Sequence, residues 1–124
     1  MAILALEKDL FFAVRIRDTL RHYDQEVNIV RTLPAFEEAL ASSEETRPQL
    51  VIVNIATKGV DWEAAIRMAQ ANDLPVLAFG SHMDLDARAR ALEAGAGKVV
   101  ANSKFVSDMW GLVEGMMVSG GSGL

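Results

Sequence analysis

The chain contains no cysteine, which excludes disulfides, thiol catalysis and cysteine-ligated metals. It has no apolar run near the roughly 20 residues that span a bilayer. Its start, Met1-Ala2-Ile3-Leu4-Ala5-Leu6, is apolar but lacks a basic leader and is interrupted by Glu7, so it does not read as a signal peptide. Positive charge is scarce. Twelve Lys and Arg face seventeen Asp and Glu, for a net charge of -5. Arg88, Arg90 and Lys98 are too scattered to form a basic stripe, which argues against a nucleic-acid surface. These absences make a cytoplasmic protein that binds neither membrane nor nucleic acid the expectation.

What is present suits a folded domain. A length of 124 residues matches one compact unit, and 51% hydrophobic residues supply a core that a disordered chain would lack. Short apolar runs alternate with helix-period segments. Ile3 to Leu6, Val27 to Val30, Leu50 to Asn54, Pro75 to Phe79 and Val99-Val100 read as strands. The continuous apolar run Leu50-Val51-Ile52-Val53 suits a strand covered on both faces.

Between these runs lie five helical patterns. Asp9 caps the first, with Phe12, Ile16, Leu20 and Tyr23 at helical spacing. Thr32 and Pro34 open the second, whose inner face is Phe36, Ala39 and Leu40. Asp61 begins the third, with Trp62, Ala65, Ile66 and Ala69 on one side. Asp84 begins the fourth, Leu85 to Ala94, which Gly95 ends. Ser103 caps the last, with a stripe of Phe105, Met109, Leu112, Val113 and Met116. Ser42 to Arg47 reads as a polar loop. Residues 119–124 read as a flexible Gly/Ser tail after a domain spanning residues 1–118.

The alternation predicts an α/β fold of three layers, α/β/α, with a parallel sheet. Here the chain resembles the response-regulator receiver family over about residues 2–117. The resemblance is carried by Ala91-Leu92-Glu93-Ala94-Gly95-Ala96-Gly97, by Leu50-Val51-Ile52-Val53 and by Pro75-Val76-Leu77-Ala78-Phe79. It implies a flavodoxin-like (β/α)5 fold with sheet order 2-1-3-4-5. It also implies a phosphoryl-transfer site: an acidic pair on the first strand holding magnesium, an acceptor aspartate on the third, a hydroxyl on the fourth and a lysine on the fifth.

The sequence departs from that pattern at nearly every position. The acidic pair is Glu7-Lys8, and the acceptor position holds Asn54, whose neutral amide is no carboxylate nucleophile. The hydroxyl position falls on Gly80, with Ser81 adjacent, and the lysine position falls on Ala101. Glu7 and Lys8 together carry no net charge where magnesium needs carboxylates. A cation about 5 Å from an ammonium is repelled by about 3 kcal/mol per unit charge at an effective dielectric near 20. No metal and no cofactor are expected. Lys8 is either a solvated loop residue or an ammonium standing in the metal's place against Glu7 and Asn54.

Other features carry less. Ser81-His82 with Glu7 invites a hydrolase reading, but adjacent serine and histidine rarely align and no glycine-framed nucleophile elbow is present. Gly95-Ala96-Gly97 leads into a strand and lacks the dinucleotide fingerprint. Val106, Trp110 and Met117 widen the apolar arc of the last helix, which reads either as generous burial or as a face for a protein partner or homodimer. The expected protein is therefore no enzyme. It is a receiver-like signalling or regulatory module that acts by protein–protein interaction without phosphorylation. The alternative is a small-molecule or anion sensor using the altered pocket near Lys8 and Asn54.

Overall fold

Four helices begin where a side-chain oxygen is ready to accept a backbone N–H. The computed structural model, which describes residues 2–41 and 47–121, places Asp9, Thr32, Asp61 and Asp84 at these caps. Their oxygens accept from Phe11, Ala35, Ala64 and Ala87 at 2.8–3.2 Å, satisfying donors that a helix start leaves unpaired.

The elements run β1 (Ala2–Leu6), α1 (Leu10–His22), β2 (Glu26–Val30), α2 (Leu33–Leu40), β3 (Pro48–Asn54), α3 (Trp62–Ala71), β4 (Val76–Gly80), α4 (Leu85–Ala94), β5 (Lys98–Ala101), α5 (Asn102–Ser107) and α6 (Met109–Gly121). The sheet is parallel throughout, in the order β2-β1-β3-β4-β5. This is the expected three-layer, flavodoxin-like arrangement.

Period-two alternation along the central strands divides the core between the two faces. Leu4, Leu6, Val51, Val53, Val76 and Ala78 meet Phe36 of α2, Ala65 and Ile66 of α3 and Ala91 of α4. Ile3, Ala5, Leu50, Ile52, Leu77 and Phe79 meet Ile16 and Leu20 of α1, Phe105 of α5 and Met109, Leu112 and Val113 of α6. Leu50 to Val53 are fully buried, as a central strand covered on both sides requires. Gly95 ends α4 at φ 120°, where an added Cβ would also press on Gln70 at 3.0 Å. Glycine is needed there on both counts.

Several expectations are corrected at the helix ends. Tyr23 lies past the end of α1 and is 42% exposed. The single last helix is two. The backbone breaks at Asp108 (φ -136°, ψ 35°), and Ala101, not Ser103, precedes the first turn of α5 without a side-chain cap. Asp108 is a poor helix-interior residue and a good N-terminal one. Its Oδ1 lies where only the missing Cβ of Gly111 leaves room, 2.4 Å from a built Cβ, and its carboxylate also pairs with Lys104 at 3.1 Å.

α6 continues through Gly121, so residues 119–121 of the expected tail are helical. A glycine costs about 1 kcal/mol in a helix, and extending an existing helix avoids the cost of nucleating one. Of the remaining tail, residues 122–124 lie outside the described residues, as do 42–46 of the expected polar loop. Among the described residues no helix is long and apolar enough to cross a membrane.

The candidate partner residues of the last helix are half-buried. Val106, Trp110 and Met117 pack against the α1/α5/α6 core, and the Trp110 ring stacks on Tyr23 at 4.6 Å and 5°. The expected outward strip is therefore mostly spent on the fold, because the break at Asp108 turns α6 against α1. Among the described residues, the large apolar side chains that stand exposed are Leu10, Phe11 and Val14 on α1, Tyr23, and Met83, Leu85 and Leu92 around α4.

Candidate functional site

Parallel strands all end on one edge, so side chains just past the tips of β1, β3, β4 and β5 gather there. Glu7 follows β1, Asn54 ends β3, Gly80 ends β4 and Ala101 ends β5. The register sets Gly80 beside Ala101 and Asn54 beside Phe79. Backbone bonds hold the tips in place: Glu7 N–H donates to Val30 at 3.0 Å, and Ile55 N–H donates to Phe79 at 2.9 Å.

Glu7 and Asn54 form the polar centre of this edge, and among the described residues they are the two buried polar or charged ones. The Asn54 Nδ2 group donates to both Glu7 carboxylate oxygens, at 2.9 and 3.0 Å. Asn54 Oδ1 accepts from Ala56 N–H at 2.8 Å, which fixes the amide's orientation. Asp9 N–H adds a weaker bond to Glu7 Oε2 at 3.2 Å. Each group thus has a partner, as burial demands. Burial pushes the Glu7 carboxyl above the usual carboxylate range. The bonds from Asn54 and Asp9 N–H oppose that rise without cancelling it, and the Asp9 charge adds to it.

The Lys8 side chain takes no part in this pair. It is exposed, and its Nζ lies 3.5 Å from where a Gly59 Cβ would stand, over the loop after β3. The reading of Lys8 as an ammonium inside the pocket is therefore corrected. The uncharged Asn54 amide reaches Glu7 directly, so the bond is made without burying a second charge.

Magnesium does not fit this arrangement. It requires octahedral oxygen ligands with free lone pairs. Glu7 is the one buried carboxylate among the described residues, with the Asn54 N–H group already aimed at both of its oxygens, and the neighbouring Asp9 is engaged in capping α1. Among the described residues no three His, Asp or Glu side chains converge as a metal site would need.

The β4–β5 half of the edge has another character. Gly80, Ser81 and Ala101 line an open hollow of about 270 Å³ with Ile55, His82, Leu85, Arg88, Val99 and Val100. Ile55, the residue after Asn54, leans over Gly80, and a Cβ on Gly80 would come within 2.7 Å of Ile55 Cγ1. Ser81 Oγ accepts from Met83 N–H at 3.2 Å, so it forms a turn and not a nucleophile–base pair with His82. The six degenerate positions thus separate. Glu7 and Asn54 meet, Gly80, Ser81 and Ala101 share the hollow, and Lys8 stands outside both. Sequence reasoning did not single out Ile55, and it named Arg88 only as one of three scattered basic residues. The placement of Ile55 after the acceptor position was its only signal, and that signal carries no chemistry.

No protein-family model and no curated protein matches the sequence. Solved structures do match the fold. A response regulator from Chloroflexus aurantiacus, itself described as putative, superposes with a TM-score of 0.77 at 21% identity, over 94% of this chain and 97% of that one. The signal receiver domain of a signal transduction histidine kinase from Syntrophus aciditrophicus gives 0.81 at 20% identity, over 95% and 90%. The receiver domain of a sensor histidine kinase from Pseudomonas aeruginosa, with magnesium coordinated in its active-site cleft, gives 0.78 at 18% identity, over 94% and 96%. The expected architecture is met in full: this chain has the flavodoxin-like fold of response-regulator receiver domains.

Proposed function

We propose that the protein is a receiver-like signalling or regulatory module that works by protein contact and accepts no phosphoryl group. One observation carries this reading. At the strand tip where an acceptor carboxylate would stand, Asn54 is buried and donates to the one carboxylate beside it. An amide nitrogen engaged in this way offers no oxygen nucleophile, and the remaining lone pairs do not suit a divalent cation. The module is proposed not to be an enzyme, since Ser81, His82 and Glu7 are each placed for other bonds or for solvent.

The partner face is proposed on the last helical segments and their neighbours. The half-buried Trp110 and the exposed Tyr23 form a flat aromatic pair there, and aromatic side chains dominate interface energetics. The area left by Val106, Trp110 and Met117 is smaller than a fully outward helix would give, so a partner must also take in surface from elements beside α6.

Acetyl phosphate with magnesium tests the central claim. Intact-mass measurement after treatment is expected to show an unchanged mass. An acid-labile phosphoryl adduct on an aspartate would overturn the proposal.

A further inference from the structure

We propose that the hollow between β4, β5 and the start of α4 binds a small organic anion, with an apolar body on its floor and a carboxylate at Arg88. This goes beyond the reading above and does not depend on it, because neither Glu7 nor Asn54 lines the hollow.

The hollow exists because two neighbouring strand ends carry almost no side chain. Gly80 has none, so Ile55 packs directly on its backbone as one wall, and Ala101, its register partner, has only a methyl group. The space of about 270 Å³ is close to the roughly 300 Å³ at which small-molecule sites begin. Its walls include Ile55, Val99 and Val100, and Leu85 stands at the lip, 70% exposed. A floor of this kind favours a ligand with an apolar body over inorganic phosphate.

The formal charge lining it has one sign. Arg88 lines the hollow, and no aspartate or glutamate does. Arg88 forms no ion pair among the described residues, whereas Arg90, two residues on, is paired with Glu63 and Asp86 and lies over the Trp62 ring. The nearby Asp84 is occupied in capping α4. Ser81 Oγ accepts from Met83 N–H, which leaves its hydroxyl proton free to donate. His82 can donate from the same rim. An unpaired guanidinium beside two further donors and an apolar floor is complementary to a carboxylate on an apolar body. In a chain of net charge -5 this local reversal of sign is what selects an anion.

Benzoate is the probe, followed by amide NMR shifts on the full chain. Saturable shifts are expected at Ser81, His82, Arg88 and Val100, with a dissociation constant on the order of 1 mM. Benzamide matches its shape without the charge, and acetate carries the charge without the ring. Each is expected to bind about tenfold more weakly or worse, as is the exposed-residue variant Arg88→Ala, whose melting temperature should not change. Ala101→Leu, which fills the hollow, is expected to abolish the shifts. Absent or non-saturable shifts, shifts centred elsewhere, benzamide binding as well as benzoate, or an Arg88→Ala variant that binds like the parent would each overturn the proposal. Arg88→Ala keeps the test decisive if Ala101→Leu does not fold.

Discussion

The two halves of the sheet's carboxyl edge arise from similar buried strands and end in opposite ways. At β1 and β3 a carboxylate and an amide meet below the surface and close the edge with two hydrogen bonds. At β4 and β5 the tips are Gly80 and Ala101, which offer no polar side chain and border a hollow walled by Ile55. The difference lies in side-chain length and polarity, since the backbone register is regular toward the tips of both halves, the one shift lying at the far end of β1 between Ala2 and Ile3. A buried charge must find a partner or be expelled, so the first half is sealed. Absent side chains impose no such demand, so the second half stays open.

The sharpest way to break the contrast is Asn54→Asp. It replaces the donor with a second carboxylate beside Glu7, and hydrogen bonds to a charged group contribute about 2 kcal/mol. A loss of about that size or more is expected at neutral pH. It should shrink as pH falls, because two adjacent carboxyls relieve their repulsion by sharing a proton. Urea unfolding at several pH values measures this, and an unchanged midpoint would mean that the edge is not sealed by this pair.

Gly80→Ala tests the open half. The new Cβ would meet Ile55 Cγ1 at 2.7 Å and Cδ1 at 3.4 Å, so the buried Ile55 must move. Overpacking of this kind costs about 1–3 kcal/mol. Thermal melting should show that loss, and a neutral result would mean that Ile55 yields freely and that the hollow's wall is soft.

Glu7→Gln sharpens the account of the sealed half through its pH dependence. Burial holds the Glu7 carboxyl above the ordinary carboxylate range. Below that range both folded and unfolded chains hold the proton. As pH rises the unfolded chain releases it first, and the fold loses stability until pH passes the raised value of Glu7 itself. The substitution should remove this part of the slope, so the variant gains on the parent between mildly acid and neutral pH. Parallel melting profiles for the two proteins would assign the slope to other groups.

The smallest effect expected is from magnesium. A ligand specific to the folded state adds RT ln(1 + [L]/Kd), which stays near zero at about 10 mM when binding is absent or far weaker than that. A saturable rise in melting temperature with magnesium but not with sodium would show that Glu7 exchanges its amide partner for a cation.

Most of the fold was legible because its signals are local and repeat. Asp9, Thr32, Asp61 and Asp84 mark helix starts through their own side chains, and Gly95 marks an end through its positive φ. The stripe Trp62, Ala65, Ile66, Ala69 is buried as its spacing predicts. The break at Asp108 was also written locally, as an aspartate three residues before a glycine, but the apolar stripe running through it masked the signal.

The candidate site divides along the same line. Sequence alone determined the residue types at the positions that the receiver resemblance singles out: Asn54, Gly80 with Ser81 beside it, and Ala101. Those facts belong to single residues and need no neighbour. Tertiary structure alone decided what those residues meet. Glu7 and Asn54 are 47 residues apart, and only the parallel pairing of β1 with β3 sets them in contact. The turn of Lys8 toward Gly59, the lean of Ile55 over Gly80 and the stack of Trp110 on Tyr23 are likewise contacts between distant segments. Their distances depend on how helices and loops pack across the sheet, and that packing has no period for a sequence pattern to carry.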